Sequence, residues 1–245
     1  MGFLKGVDED LPYAGNSSSD DKKMFRFYVG QNGKADISFL HGKSDLAHAL
    51  EHDFSRSQNY RDRQQFVCLK ALGLDCPLCK LPRDEQQVRS RYANYFLIID
   101  HTPYTSKKGK TYVDTMKLLV MNKEDIKRLD MTVEGLKDKK LELAGARFTV
   151  RRPDSQRSSR VGESYSYEGH TDFSKFEATK DFDFSPKAIR AKLEEILLPN
   201  ELQAKAAADW CLKYPMIKAA ETVPAGPTTA IDDGEDSVPW TATPE

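Results

Sequence analysis

The chain has 245 residues, 39% hydrophobic and 31% charged, enough to bury a core without disulfide staples. No apolar run approaches the roughly eighteen residues that span a bilayer, and the first ten residues contain no apolar signal core, so a soluble, intracellular protein is expected. The formal net charge of -1 hides a segregation: residues 1–21 hold one lysine against five acids, residues 219–245 hold six acids and no base, and the stretch 22–218 is left with +9. A basic body between acidic ends suits a polyanionic partner.

Residues 1–21 read as a flexible acidic arm, because the Ser and Asp cluster Asn16–Asp21 has too little apolar content to fold. Met24–Val29 and Lys34–Leu40 then alternate on either side of Gly30-Gln31-Asn32-Gly33, which predicts a β-hairpin. Phe25, Phe27, Val29, Ala35, Ile37 and Phe39 fall on the inward face, with Arg26, Tyr28 and Lys34 outward. Residues 41–82 are expected to leave the sheet as a separate module, with a short helix near Leu46–His52 and a strand near Gln65–Leu69.

Three of the four cysteines lie in that module. Cys68 is followed after seven residues by the knuckle Cys76-Pro77-Leu78-Cys79, and Glu51-His52-Asp53 stands upstream. Two thiolates from one tight turn, a third cysteine and one histidine make the tetrahedral set that structural zinc prefers. A redox Cys-x2-Cys would open a helix after a strand, whereas proline follows the first cysteine here. His52, nearest in sequence, is the favoured fourth ligand, with His48 and His41 as alternatives. Reducing cytosol favours metal over disulfide, and Cys211, on a predicted helix, is expected only to pack.

Tyr92–Asp100 and Thr111–Met121 predict two long antiparallel strands, joined by a glycine-broken basic loop that carries Lys107, Lys108 and Lys110. Asn122, with Asp125 three residues on, caps a helix from Lys123 to about Leu129. Ala146–Arg152 alternates again, Phe148 and Val150 inward and Arg147, Thr149 and Arg151 outward. A loop with Arg157 and Arg160 follows, then a last strand around Glu163–Glu168 with Tyr165 and Tyr167. The fold expected is mainly β with α additions (α+β): an OB-fold-like antiparallel closed barrel over 22–180, with an inserted zinc subdomain at about 41–82. C-terminal helices follow over 185–218, starting at Ser185-Pro186 with Ile189, Leu193, Ile196 and Leu197 at helical spacing, and restarting at Asn200. Residues 219–245, ending in Asp232, Asp233, Glu235, Asp236 and Trp240, form an acidic tail without a fold.

Aromatic residues interleaved with lysine and arginine are what a single-strand binder needs, since bases stack on rings while cations track phosphates. The candidates are Arg26, Tyr28, Tyr92, Phe96, Lys107, Lys108, Lys110, Tyr112, Arg147, Arg151, Arg152, Arg157, Arg160 and Tyr165. The chain contains no phosphate loop, no Gly-x-Ser-x-Gly and no His-Glu-x-x-His, so no enzyme is expected. A zinc-stabilised nuclease would need His101 or His170 beside an Asp or Asn, and a zinc-dependent regulator of duplex DNA is a third reading.

Taken in order, Ser38-Phe39-Leu40, Glu51-His52, Cys68-Leu69, Asp75-Cys76-Pro77-Leu78-Cys79, the aromatic strand and Phe148-Thr149-Val150-Arg151 resemble the zinc-containing single-stranded DNA-binding proteins of tailed phages, the family of the T-even helix-destabilising protein. The likeness runs from about Met24 to Arg152, and the knuckle is its specific part. The resemblance implies an OB barrel with a zinc subdomain whose ligands are His52, Cys68, Cys76 and Cys79. It further implies a role coating single-stranded DNA in phage replication, recombination and repair, in the cytoplasm of an infected bacterium. It also implies a monomer, or weak self-association on DNA, and an acidic tail that recruits replication or recombination proteins. Two features depart from the family: the N-terminal arm is acidic where the family's is basic, and the spacing from histidine to first cysteine differs.

Overall fold

The computed structural model describes residues 24–55, 63–81, 90–105, 109, 111–137, 141–155, 157–198 and 201–213. In chain order these form β1 (Lys34–Phe39), β2 (Ala47–Ser55), β3 (Arg63–Val67), β4 (Ser90–Asp100), β5 (Tyr104–Thr105), β6 (Thr111–Tyr112), β7 (Thr115–Met121), α1 (Lys123–Lys137), β8 (Ala146–Arg151), β9 (Ser164–His170), α2 (Pro186–Ile196) and α3 (Glu201–Lys213). The acidic arm, the acidic tail and Lys107, Lys108 and Lys110 lie outside the described residues.

β4 is the axis. On one edge it pairs with β7 from Asn94↔Met121 to Asp100↔Thr115. Its other edge is shared end to end, β2 taking Ser90–Tyr95 and β1 taking Ile98–Asp100. β3 then pairs with β2, and β8 and β9 follow β1, all antiparallel. Because successive side chains on a strand face opposite ways, β4 feeds two cores. Phe96 and Ile98 enter one with Phe27, Val29, Ile37, Phe39, Phe148 and Val150, roofed by Leu129, Val133 and Leu136 of α1. Tyr95, Leu97 and Ile99 enter the other with Ala47, Ala49, Val67 and Leu118, covered by Ile189 and Leu193 of α2 and by Leu197 at its end. Edge-to-face contacts of Phe39 with Phe96 (5.2 Å) and Phe148 (5.7 Å) join the strands of the first core.

The caps form as their sequences require. Asn122 Oδ1 accepts from the amides of Glu124 and Asp125, and Asp125 Oδ2 accepts in return from the Asn122 amide, a reciprocal box that starts α1. The helix runs to Lys137, beyond the expected end at Leu129, because Val133 and Leu136 continue its apolar stripe. Ser185 Oγ accepts from the Ala188 amide to start α2, with Pro186 in the first turn.

Several expectations are corrected. The sheet is mixed with helices and mostly antiparallel, as expected, but it is open and not a closed barrel. The hairpin of 24–29 with 34–40 does not form, because both edges of β1 are taken by β4 and β8. Its turn does close, Gly33 N–H donating to Gly30 O (2.9 Å) with Asn32 at φ 51. The preceding segment instead lies beside β7: Phe27 N–H donates to Leu118 O (2.8 Å) and Leu118 N–H to Phe25 O (3.0 Å). This turns Phe25 out to 80% exposure and draws Arg26 inward.

Leu46–His52 is not a helix. Alanine, leucine and glutamate favour one locally, but β2 sits between β3 and β4, and pairing on both edges overrides that preference. Residues 41–82 therefore leave the main sheet only beyond β3. Thr111–Met121 breaks at Asp114, φ 53, so that Thr111–Tyr112 pairs with Tyr104–Thr105 in a small sheet of its own.

Gly162, at φ 91, turns the chain into β9 against Val150, and a Cβ there would lie 2.2 Å from Val150 Cγ1. Gly162→Ala is therefore expected to cost about 1–3 kcal/mol from the left-handed backbone and the clash together. A thermal melt checks this; an unchanged midpoint would contradict the packing described.

Candidate metal centre and nucleic-acid groove

β2 and β3 form a two-sided hairpin. His52 pairs opposite Phe66, and Glu51 opposite Val67, so neighbouring residues on β2 serve opposite faces. On the His52 face the chain leaves β3 at Cys68, makes a short 3-10 turn over Leu69–Leu72, and returns through a second over Pro77–Lys80, with Pro77 in the first position. The Cys79 amide donates to Cys76 O (3.1 Å) and closes the knuckle. α3 covers this module with a small-residue face, Ala204, Ala207, Ala208 and Cys211, packed against Phe66, Cys68, Cys76 and Leu78. Cys211 is packed, as expected.

One ligand atom each from His52, Cys68, Cys76 and Cys79 converge within 4.8 Å, and this group can hold a metal ion. His52 Nε2 lies 3.4 Å from Cys76 Sγ and 3.5 Å from Cys79 Sγ. An ion about 2.0 Å from nitrogen and 2.3 Å from sulfur would set a tetrahedral edge of about 3.5 Å between them. Cys68 and Cys79 Sγ stand 3.0 Å apart, too far for a disulfide, and all four cysteines are free. Hydrogen bonds from Cys68 and Cys79 push the Cys76 thiol well below its ordinary range, while those same contacts among the sulfurs, with burial, push Cys68 well above it. A thiolate is thus favoured at Cys76 and resisted at Cys68.

The alternative histidines are accounted for. His48 lies on the same face of β2 as His52, but four residues along a strand is about 13 Å, where a helix would have brought the two within one turn. His41 is buried elsewhere: its Nε2 accepts from the Leu97 amide (3.1 Å), its Nδ1 faces Gly42 O (3.1 Å), and its ring stacks on Phe96 at 5.3 Å.

Beside this hairpin a cavity of about 270 Å³ is lined by Arg26, Tyr28, Gln65, Arg91, Tyr92 and the Arg157–Val161 loop, Arg91 standing opposite Glu51 and Tyr92 opposite Leu50 across the β2–β4 pairing. Tyr28 and Tyr92 are 50% and 56% exposed, and the Tyr28 hydroxyl is fixed by donating to Gln65 Oε1 (2.8 Å). Glu51, fully buried, accepts both Nη atoms of Arg26 and lies 3.7 Å from Arg91, which also reaches Asp53 at 3.6 Å. Burial disfavours the Arg26 charge, yet the paired Glu51 more than offsets this and raises its pKa. Burial also raises the pKa of the Tyr95 phenol beneath the pair, with the Glu51 charge adding to it. These contacts hold the groove arginines in set positions.

The structure thus gathers Arg26, Tyr28, Tyr92, Arg157 and Arg160 at one place and adds Arg91 and Gln65, which only the long-range pairing of β4 and β3 with β2 brings there. Other candidates lie elsewhere. Phe96 is fully buried and Tyr165 is buried with its hydroxyl on Val161 O (2.9 Å), so neither can stack on a base. Arg152 braces the loop, donating to Ser158 Oγ (2.8 Å) and Val29 O (3.1 Å). Arg147 pairs with Asp36 (3.3 Å). Arg151 lines a separate cavity of about 390 Å³ with Lys34, and Tyr112 sits on the β5–β6 hairpin.

A further arrangement has no sequence signature. His101 Nδ1 lies 2.6 Å from Asp114 Oδ1 and its Nε2 2.8 Å from Ser38 Oγ, which also meets Thr171 Oγ1. This is the wiring of a hydrolytic triad, but Ser38 is fully buried between β4 and β8 and no substrate carbonyl can reach it. The pairing ties β1, the end of β4 and the start of β7 together. Among the described residues, the His52 cluster is the sole group of three or more His, Cys, Asp or Glu that could hold a metal.

Neither a known family model nor a curated protein matches the chain.

Two outcomes are expected. The chain binds one divalent ion; Cys76→Ser abolishes it, and because thiols must ionise, loading releases protons and weakens as pH falls. Metal analysis of the purified variant is the check, full occupancy contradicting the site. Separately, burial lowers the pKa of His41, so the unfolded chain takes up a proton that the folded chain resists. The stability this confers is complete above the ordinary histidine value of about 6.5 and is lost as pH falls through it towards the lower folded value. The gap in thermal midpoint between wild type and His41→Gln should narrow from about pH 7.5 to pH 5.5; a constant gap would refute the assignment.

Proposed function

We propose that this chain binds single-stranded DNA without marked sequence preference, that its metal is a structural zinc ion, and that its sheet is an opened variant of the OB architecture. The groove carries the reading. Two exposed tyrosine rings stand beside four arginines, two of them positioned by carboxylates, and rings with cations beside them are the means by which single strands are held. A duplex would bury its bases away from such rings. The cysteine-rich donor set with one histidine supports zinc, since soft sulfur ligands with tetrahedral spacing favour it over magnesium or calcium. Zinc held by four protein groups has no open position for water, which fits a shaping role without turnover. The basic stretch 22–218 matches the resemblance to phage single-strand binders, and with it a role in phage DNA metabolism in the host cytoplasm. On the same reading the acidic tail, with Trp240, recruits partner proteins.

Anisotropy titration with labelled mixed-sequence oligonucleotides tests this. Single strands should bind far more tightly than the same sequence as duplex, with log affinity falling by about 0.7 per contacted phosphate as log salt rises. Tyr92→Ala should cost about 1–3 kcal/mol and Tyr92→Phe little. Equal affinity for duplex would favour a duplex regulator, and magnesium-dependent cleavage of the strand would favour a nuclease; either would displace the proposal.

A further inference from the structure

We propose that the β5–β6 hairpin is a second contact for the same single strand, an aromatic arm that stacks a nucleobase on Tyr104 and Tyr112. The inference rests on the strand-binding reading above. The groove lies at one end of the β4–β7 ribbon, at Arg91–Ala93 and Val120–Met121. The arm leaves the other end, after Asp100 and before Thr115. Six residues of strand separate these ends, about 20 Å, so the arm reaches nucleotides that the groove does not.

Tyr104 and Tyr112 are direct cross-strand partners and therefore share one face of the arm. They are 58% and 39% exposed, with Val113 beside them also exposed. A two-residue ladder is marginal by itself, yet its root is fastened. His101 is held between Asp114 and Ser38, the His101 amide donates to Asp36 O (2.8 Å), and the Thr102 amide donates to Asp100 Oδ1 (2.9 Å). Thr105 and Thr111 hydroxyls meet at 3.0 Å across the ladder. Two rings on one face of a ladder with a fastened root form a platform with less left to order on binding. The sequence between Thr105 and Thr111 is Ser-Lys-Lys-Gly-Lys, three cations and no acid, which matches a phosphate backbone and disfavours a basic protein partner.

The test uses the full chain and two oligothymidines, one of about 4 and one of about 16 nucleotides, the span of single-strand site sizes. In Tyr104→Ala/Tyr112→Ala the long oligomer should weaken about fivefold or more, while the short one, held in the groove, changes less than about twofold. The Phe/Phe pair should bind like wild type. Irradiation of a long oligomer containing 5-iododeoxyuridine should attach it to the peptide bearing Tyr104 or Tyr112, a readout that survives if the alanine variant folds poorly. Unchanged long-oligomer affinity in the alanine pair overturns the arm and leaves the groove standing. Equal loss at both lengths without cross-links at the arm also overturns it. Wild-type protein that binds neither oligomer overturns the strand-binding reading itself, and the arm with it.

Discussion

The double burial of β4 is the constraint from which the other features follow. Both of its edges are paired over most of its length and both faces are covered, one core under α1 and one under α2. A strand in that position must be apolar on both sides, and Tyr95-Phe96-Leu97-Ile98-Ile99 is. Only its ends escape. At the first end Arg91 and Tyr92 emerge into the groove; past the other, the chain turns out through His101 into the β5–β6 hairpin. The polar chemistry carried by this strand is thus confined to the two places where burial stops.

The β2–β3 hairpin adds a second constraint, set by strand geometry alone. Glu51 and His52 are consecutive, so one faces the arginines of the groove and the other the cysteines. A shift of one residue in the pairing of β2 would exchange them, burying a carboxylate among thiols and pointing an imidazole at Arg26. Register is therefore fixed from both sides at once. The same logic explains why β2 has no hydrophobic alternation to read: each of its faces meets a different partner, and Ala47, Ala49 and Leu50 supply packing without marking a face.

That is also where the amino-acid pattern stops being legible. The antiparallel strands, the caps at Asn122 and Ser185, the inward Phe148 and Val150, and the Cys-x2-Cys knuckle were readable because each depends on neighbours within a few residues. β2 was not, since the helical preference of Leu46–His52 is local and its pairing with β3 and β4 is not. The hairpin from Met24 was misread for the same reason: its turn is present, but nothing in the segment reveals that β8, more than a hundred residues away, takes the edge it would need. Among site residues the three cysteines followed from spacing, which favoured His52 but left His48 and His41 open, whereas Arg91 and the Ser38–His101–Asp114 contacts depend on long-range pairing. Phe96 and Tyr165 carry no mark in the sequence that separates a core aromatic from a surface one.

The groove also refines what the overall charge suggests. The +9 of residues 22–218 would imply attraction by a broad positive field, but the charges at the groove are not a simple surplus. Arg26 is bound to Glu51, Arg91 stands between Glu51 and Asp53, and Asp125 on the rim holds Arg128. Arginines so paired contribute less net potential than free ones, yet their guanidinium planes are oriented before any ligand arrives, which reduces the ordering cost of binding. Removing Glu51 would not simply add a positive charge; it would leave Arg26 buried without its partner, a costly state. A groove built this way draws selectivity from rings and directed donors, while basic residues outside it, such as Lys34 and Arg151, add long-range attraction.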